Sequence, residues 1–140
     1  MIELQPIFRY RDHVQVLYDL LGERTPDQSI SHGEMPDLET HAKFVRSKPY
    51  DAWYFIVDNE VLEGIVGSLY LTDRKEIGIA IFEKYKGKGY GTEAVKKIMA
   101  MWKGPFYANI NPVNTPSVKF FKGLGAELVQ HTYRLDLYLK

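Results

Sequence analysis

Between Glu76 and Trp102 the chain reads EIGIAIFEKYKGKGYGTEAVKKIMAMW, a β-branched run, a glycine-rich loop and a helical pattern in succession. Ile77, Ile79 and Ile81 alternate as one face of a strand, with Gly78, Ala80 and Phe82 on the other. Ala94, Val95, Ile98, Met99 and Trp102 then recur at helical spacing. Gly87, Gly89 and Gly91 occupy the junction, with Lys84, Lys86 and Lys88 around them. The first amides of a helix lack intrahelical partners and lie at the positive end of its dipole. Glycines in front of them let an anion approach the backbone closely. Local lysine charge favours a phosphate-bearing ligand. The alternative is a tight turn with solvated lysines.

The rest of the sequence limits what such a loop can serve. A length of 140 residues suits one ordinary domain, and a 45% hydrophobic share is enough for a packed core. Eighteen basic residues balance eighteen acidic ones, so there is no global electrostatic case for nucleic acid or an anionic membrane. Any anion binding is local. The absence of cysteine removes disulfides, thiolate metal sites and a cysteine nucleophile from consideration. The N-terminal segment MIELQPIFRYRDH has no continuous apolar run, and no stretch approaches a membrane span. The expectation is a cytoplasmic protein, monomeric or homodimeric.

Taken in order, Ile2 to Phe8 alternate as a first strand bent or edged by Pro6. Val14, Leu17, Tyr18 and Leu21 predict a helix from Asp12 that Gly22 stops. The polar segment ERTPDQSISHGEMPD follows as a loop of the kind that often recognises substrate. Asp37 caps a second helix carrying Leu38, His41, Ala42 and Val45, which ends before Pro49. His41 has no partner histidine at metal-ligand spacing and reads as a packed or surface residue. Asp51 to Asp58 and Val61 to Thr72 form a hairpin about Asp58-Asn59-Glu60, with Gly64 and Gly67 marking a bulge. After the glycine helix, Gly104-Pro105 breaks the chain. Phe106 to Ile110 is a further strand, Ser117 to Lys122 a short helix, and Glu127 to Gln130 and Tyr133 to Leu139 two terminal strands. One mixed α/β domain over residues 1–140 is the simplest organisation.

The glycine pattern excludes two common phosphate loops. A Walker loop needs G-x-x-x-x-G-K-[ST], which is absent, and Thr92 stands where a dinucleotide fingerprint needs its last glycine. Lys86-Gly87-Lys88-Gly89-Tyr90-Gly91 instead resembles the acetyl-CoA signature [Q/R]-x-x-G-x-[G/A] of the GCN5-related N-acetyltransferases (GNAT), with Lys86 in place of Gln or Arg. Downstream, Asn111-Pro112-Val113-Asn114-Thr115-Pro116-Ser117 followed by Phe120-Phe121-Lys122-Gly123-Leu124-Gly125 is similar to that family's second segment. Two motifs in the family's order, in a chain whose elements also follow it, carry the resemblance.

The resemblance implies an α+β fold with a strongly twisted, mixed central sheet flanked by helices, and acetyl-CoA as cosubstrate with no metal. Lys86, Gly87, Lys88, Gly89, Tyr90, Gly91 and Thr92 would hold the pyrophosphate, and the backbone of Ile79, Ala80 and Ile81 the pantetheine arm. Asn114 would orient that arm, Ser117 and Phe121 would also bind the cofactor, and Lys122 would reach its phosphates. The implied reaction moves an acetyl group to a primary amine of a small molecule such as an amino sugar. A peptide amine, and a CoA-binding module with little catalysis, are the alternatives. An ammonium must lose a proton before it can attack, so a general base is needed. Glu76, at the head of the strand, is the expected base, with Glu34 and His32 as runners-up. The family's usual acid is a tyrosine, but the aligned residue is Phe121, which has no proton to donate. Either another donor acts, with Ser117, Tyr90, Tyr107 and Tyr133 as the candidates, or solvent protonates the thiolate; Ser117 can equally be a helix cap. His32, Glu34, Tyr107 and Tyr133 are the expected substrate contacts.

Overall fold

A computed structural model of the chain describes residues 1–24, 35–62 and 64–137. Its framework is a sheet of strands β1 (Glu3–Pro6), β2 (Ala52–Val57), β3 (Ile65–Leu71) and β4 (Ile77–Ile81), arranged in sequence order with every neighbour antiparallel. Helices α1 (His13–Gly22) and α2 (Leu38–Arg46) lie between β1 and β2 in sequence. Helix α3 (Tyr90–Met101) follows β4, and α4 (Thr115–Gly123) comes last. No helix among the described residues is long and apolar enough to cross a membrane.

Strand alternation explains how the sheet is covered on both faces. Phe55 and Ile56 are adjacent in β2, so their side chains point to opposite faces, and both are fully buried. Ile56 joins Ile2, Leu69, Leu71 and Ile77 against Ala94, Val95 and Ile98 of α3. Phe55 joins Ile7 and Val57 against Leu17 of α1 and Val45 of α2. The expected bulge is present: Ile56 pairs with Gly67 while Val57 pairs with Ile65, which leaves Val66 as the extra residue. That insertion shifts the alternation by one, so Val66 points into the same core as Leu69 and Leu71.

Several expected boundaries are corrected. The first strand ends at Pro6, which has no amide to continue a ladder, and Ile7–Arg9 forms a 3-10 turn. The segment expected as a strand from Phe106 to Ile110 contributes one parallel bridge, between Tyr107 and Glu76. The mixed character of the sheet therefore rests on that bridge. Residues 127–137 contain no strand, although Tyr133, Leu135 and Leu137 alternate, and Leu135 is 98% exposed. Alternation marks a segment that can pair, but a strand forms only against a neighbour. Residues 138 and 139 of the last expected strand lie outside the described residues.

Candidate active site

The bridge at Tyr107 decides where the sheet is open. The Ile77 amide donates to the Tyr107 carbonyl at 2.7 Å, and the Tyr107 amide donates to the Lys75 carbonyl at 2.9 Å. Beyond that point the chain after Tyr107 leaves β4, and no further pairing follows among the described residues. On the opposite edge of β4, the Phe82 amide donates to the Val66 carbonyl at 2.9 Å, so even-numbered positions bond to β3. By the two-residue period, the backbone groups of Ile79 and Ile81 point the same way as those of Ile77, along an edge that no described strand covers.

This open edge runs into the glycine loop. Glu83–Tyr85 makes a 3-10 turn anchored by Tyr85, which is 8% exposed and packs in the core. Gly87 and Gly89 then adopt φ of 78° and 85°, the left-handed region that non-glycine residues rarely enter. A Cβ at either position would meet nothing within 4 Å among the described residues, so none of them fills the space in front of the loop. Gly89 caps α3 without a side chain, and its carbonyl accepts from the Glu93 amide at 3.1 Å. The amides of Tyr90, Gly91 and Thr92 have no backbone partner among the described residues. Three free amides at the positive end of a twelve-residue helix, behind an open glycine loop, fit a diphosphate. Gly91 has a different role: a Cβ there would come within 3.2 Å of the Phe120 ring, so its small size lets α4 pack against the start of α3.

At the start of α4, Asn114 Oδ1 accepts from the Ser117 amide at 3.3 Å and caps the helix. Ser117 is therefore the third helical residue and not the cap. Phe121 meets Phe120 edge to face, with ring centroids 5.0 Å apart, and Lys122 is exposed. At the point where β4 and the Tyr107 segment separate, the Glu76 carboxylate is held from both sides. Its Oε1 accepts from Thr72 Oγ1 at 3.2 Å and its Oε2 from Asn109 Nδ2 at 2.8 Å.

Residues 3–127 match the family model described as an acetyltransferase (GNAT) domain. The chain belongs to the GNAT acetyltransferase family. Like that family, it is an acetyl-CoA-dependent N-acetyltransferase. Its fold is similar to an acetyltransferase from Thermus thermophilus (TM-score 0.73, 18% identity, covering 93% of this chain and 89% of that one). It also resembles an N-acetyltransferase from Staphylococcus aureus (TM-score 0.63, 14% identity, 89% and 81% covered). A third likeness is to the spermidine N-acetyltransferase SpeG of Vibrio cholerae (TM-score 0.67, 14% identity, 89% and 78% covered). At these identities the likeness concerns the fold. No curated protein matches the sequence closely enough to count as a relative.

Within this GNAT acetyltransferase, Ile79, Ala80, Ile81 and residues 86–92 form one continuous run of edge, turn and helix start. The Lys86 ammonium is 3.0 Å from the Glu83 carboxylate in an exposed ion pair, so its charge is partly engaged, while Lys88 is exposed. Tyr107 is brought beside Glu76 by the bridge and is 45% exposed. Tyr133 is not brought to this place: it is 84% exposed and stacks on His131. His32 and Glu34 lie outside the described residues. The Tyr90 hydroxyl donates to Asp58 Oδ2 at 2.6 Å. That bond pushes the phenol up to about 12 and holds Asp58 below the usual carboxylate range. Tyr90 is thereby a poor proton donor for a thiolate. Sequence reasoning missed Asp58, Thr72 and Asn109. Asp58 read only as a turn residue, and its partner is 32 positions away; Asn109 reaches Glu76 across 33. No local pattern signals either pairing.

Proposed function

We propose that this acetyltransferase acetylates a primary amine of a small molecule, and that the reaction takes place where β4 parts from the Tyr107 segment. The observation that carries the reading is the uninterrupted line from the Glu76 carboxylate, along the uncovered edge of Ile79 and Ile81, to the free amides at the head of α3. Bound acetyl-CoA supplies a thioester whose carbonyl an amine can attack. The amides of Tyr90, Gly91 and Thr92 bind its diphosphate, and the open edge of β4 aligns the pantetheine arm. The Asn114 side-chain nitrogen, not used by the cap, is available to the same arm. A backbone N–H of that edge stabilises the oxyanion formed on attack.

Glu76 receives the proton that the ammonium must lose. Its two recorded hydrogen bonds use two of roughly four lone-pair positions, so the carboxylate retains capacity to accept it. With Phe121 unable to donate and Tyr90 committed to Asp58, the departing thiolate takes its proton from Ser117, Tyr107 or solvent. Residues 1–140 act as one domain in this reading. The spermidine named for the Vibrio cholerae structure is a small amine and agrees with the acceptor class.

The test is thiol release from acetyl-CoA by purified protein over a panel of amino sugars, polyamines, amino acids and peptides. Release that depends on a small primary amine supports the acceptor class; release only with a peptide or protein amine overturns it. Glu76→Gln should lower turnover at neutral pH by about tenfold to a thousandfold, with acetyl-CoA affinity unchanged. Equal turnover in that variant removes Glu76 from the role of base.

A further inference from the structure

We propose that Asp58, in the β2–β3 hairpin, is a positioning residue for the diphosphate cradle, acting through the Tyr90 hydroxyl to hold the first turn of α3 in place. The proposal rests on the cradle reading given above.

Asp58 is 6% exposed, and carboxylates are seldom buried to that degree. Its surroundings explain the burial. The Asp58 amide donates to the Gly64 carbonyl at 2.7 Å, and Oδ1 accepts from the Glu60 amide at 2.9 Å, so the residue closes the hairpin turn. Oδ2 takes the Tyr90 hydroxyl at 2.6 Å. One carboxylate thus spans the hairpin and the start of α3.

Tyr90 is the residue through which such a link can act. It lies between Gly89 and Gly91, and neither has a side chain to restrain the backbone. The left-handed turn at Gly89 is one that glycine enters and leaves easily. Lys88 extends into solvent, so Tyr90 is the anchored side chain in the run from Gly87 to Gly91, with its ring set edge-on to buried Tyr85 at 6.4 Å. Amides bind an anion well when they are already aligned for it, because binding then bears none of the cost of ordering them. A looser first turn weakens affinity for the diphosphate and leaves the chemistry at Glu76 in place.

The experiment compares acetyl-CoA with S-acetylpantetheine, which carries the same thioester without the diphosphate. Binding is measured by calorimetry and turnover by thiol release, for the wild type, Asp58→Ala, Tyr90→Phe and the double variant. In the wild type acetyl-CoA binds more tightly than S-acetylpantetheine. Each single variant should weaken acetyl-CoA binding about tenfold, the loss of one hydrogen bond to a charged group. The loss should fall on KM rather than kcat, leave S-acetylpantetheine binding unchanged, and be no larger in the double variant than in the worse single one. Tyr90→Phe removes only the hydroxyl and keeps the ring against Tyr85, so it decides the matter if Asp58→Ala does not fold. Unchanged acetyl-CoA affinity in Tyr90→Phe overturns the proposal and leaves the cradle standing, as does an equal loss for both donors. A wild type that binds both donors equally overturns the cradle itself, and the proposal with it.

Discussion

His41 is a histidine buried in a helix interface. It is 7% exposed, its Nε2 has no hydrogen-bond partner among the described residues, and its ring lies 5.3 Å from that of Tyr18 across the contact between α1 and α2. Burial lowers its pKa from the ordinary 6.5, because a charged imidazolium would lose its hydration there. The unfolded chain therefore takes up a proton at higher pH than the folded one. Stability from this group is complete above pH 6.5 and is lost progressively as the pH falls below it. Urea midpoints should be level from about pH 8 to 7 and then decline on acidification, less steeply in His41→Leu. Gly78 poses a question of space. A Cβ there would overlap the phenol end of Tyr70, its cross-strand partner, which is itself stacked on Tyr50 with centroids 3.8 Å apart. The space over this glycine is taken by an aromatic ring of β3. Gly78→Ala should cost about 1–3 kcal/mol in denaturant unfolding, as overpacking does, because Tyr70 cannot withdraw without breaking its stack on Tyr50.

At the level of elements, helices were more legible than strands, and their ends less legible than their existence. Asp37 caps α2 as expected, accepting from the Thr40 amide at 2.7 Å, because capping depends only on residues one turn apart. For α4 the sequence predicts a short helix starting at Ser117, whereas the helix runs from Thr115 to Gly123. The cap is Asn114, with Thr115 and Pro116 in the first turn, where proline loses no hydrogen bond. Asn114→Ala should lower stability by about 1 kcal/mol in thermal or urea unfolding, and Asn114→Asp, which keeps the capping oxygen, by less. The strands expected after residue 126 show the converse. Helical hydrogen bonds close within the segment, whereas those of a strand need a second segment, so alternation in Tyr133, Leu135 and Leu137 cannot by itself make a strand.

Over the whole molecule, the four-stranded sheet carries a core on each face. The core shared with α3 reaches the glycine loop through Tyr85 and Tyr90, so the proposed cradle adjoins packed structure. A ligand held there binds the folded chain and not the unfolded one. Acetyl-CoA at a hundred times its dissociation constant should therefore add about 2.7 kcal/mol to the unfolding free energy, read as a rise in melting temperature that scales with the logarithm of ligand concentration. A melting temperature unmoved by acetyl-CoA would contradict the site. The same packing explains why the hairpin at Asp58, distant in sequence, is in a position to touch α3.

What the sequence determined by itself was whatever depends on near neighbours: the helical and strand periods, the cap at Asp37, the bulge near Gly67, and a glycine loop leading into a helix with its amides free. The family motif added acetyl-CoA to that loop. Tertiary structure alone decided which edge of β4 stays uncovered, that Asn109 reaches Glu76, and that the Tyr90 hydroxyl belongs to Asp58. Local preferences act within about one helical turn or one strand pair. These side-chain pairings join residues 32 and 33 positions apart, and only the packing of strands and helices against one another brings them within reach.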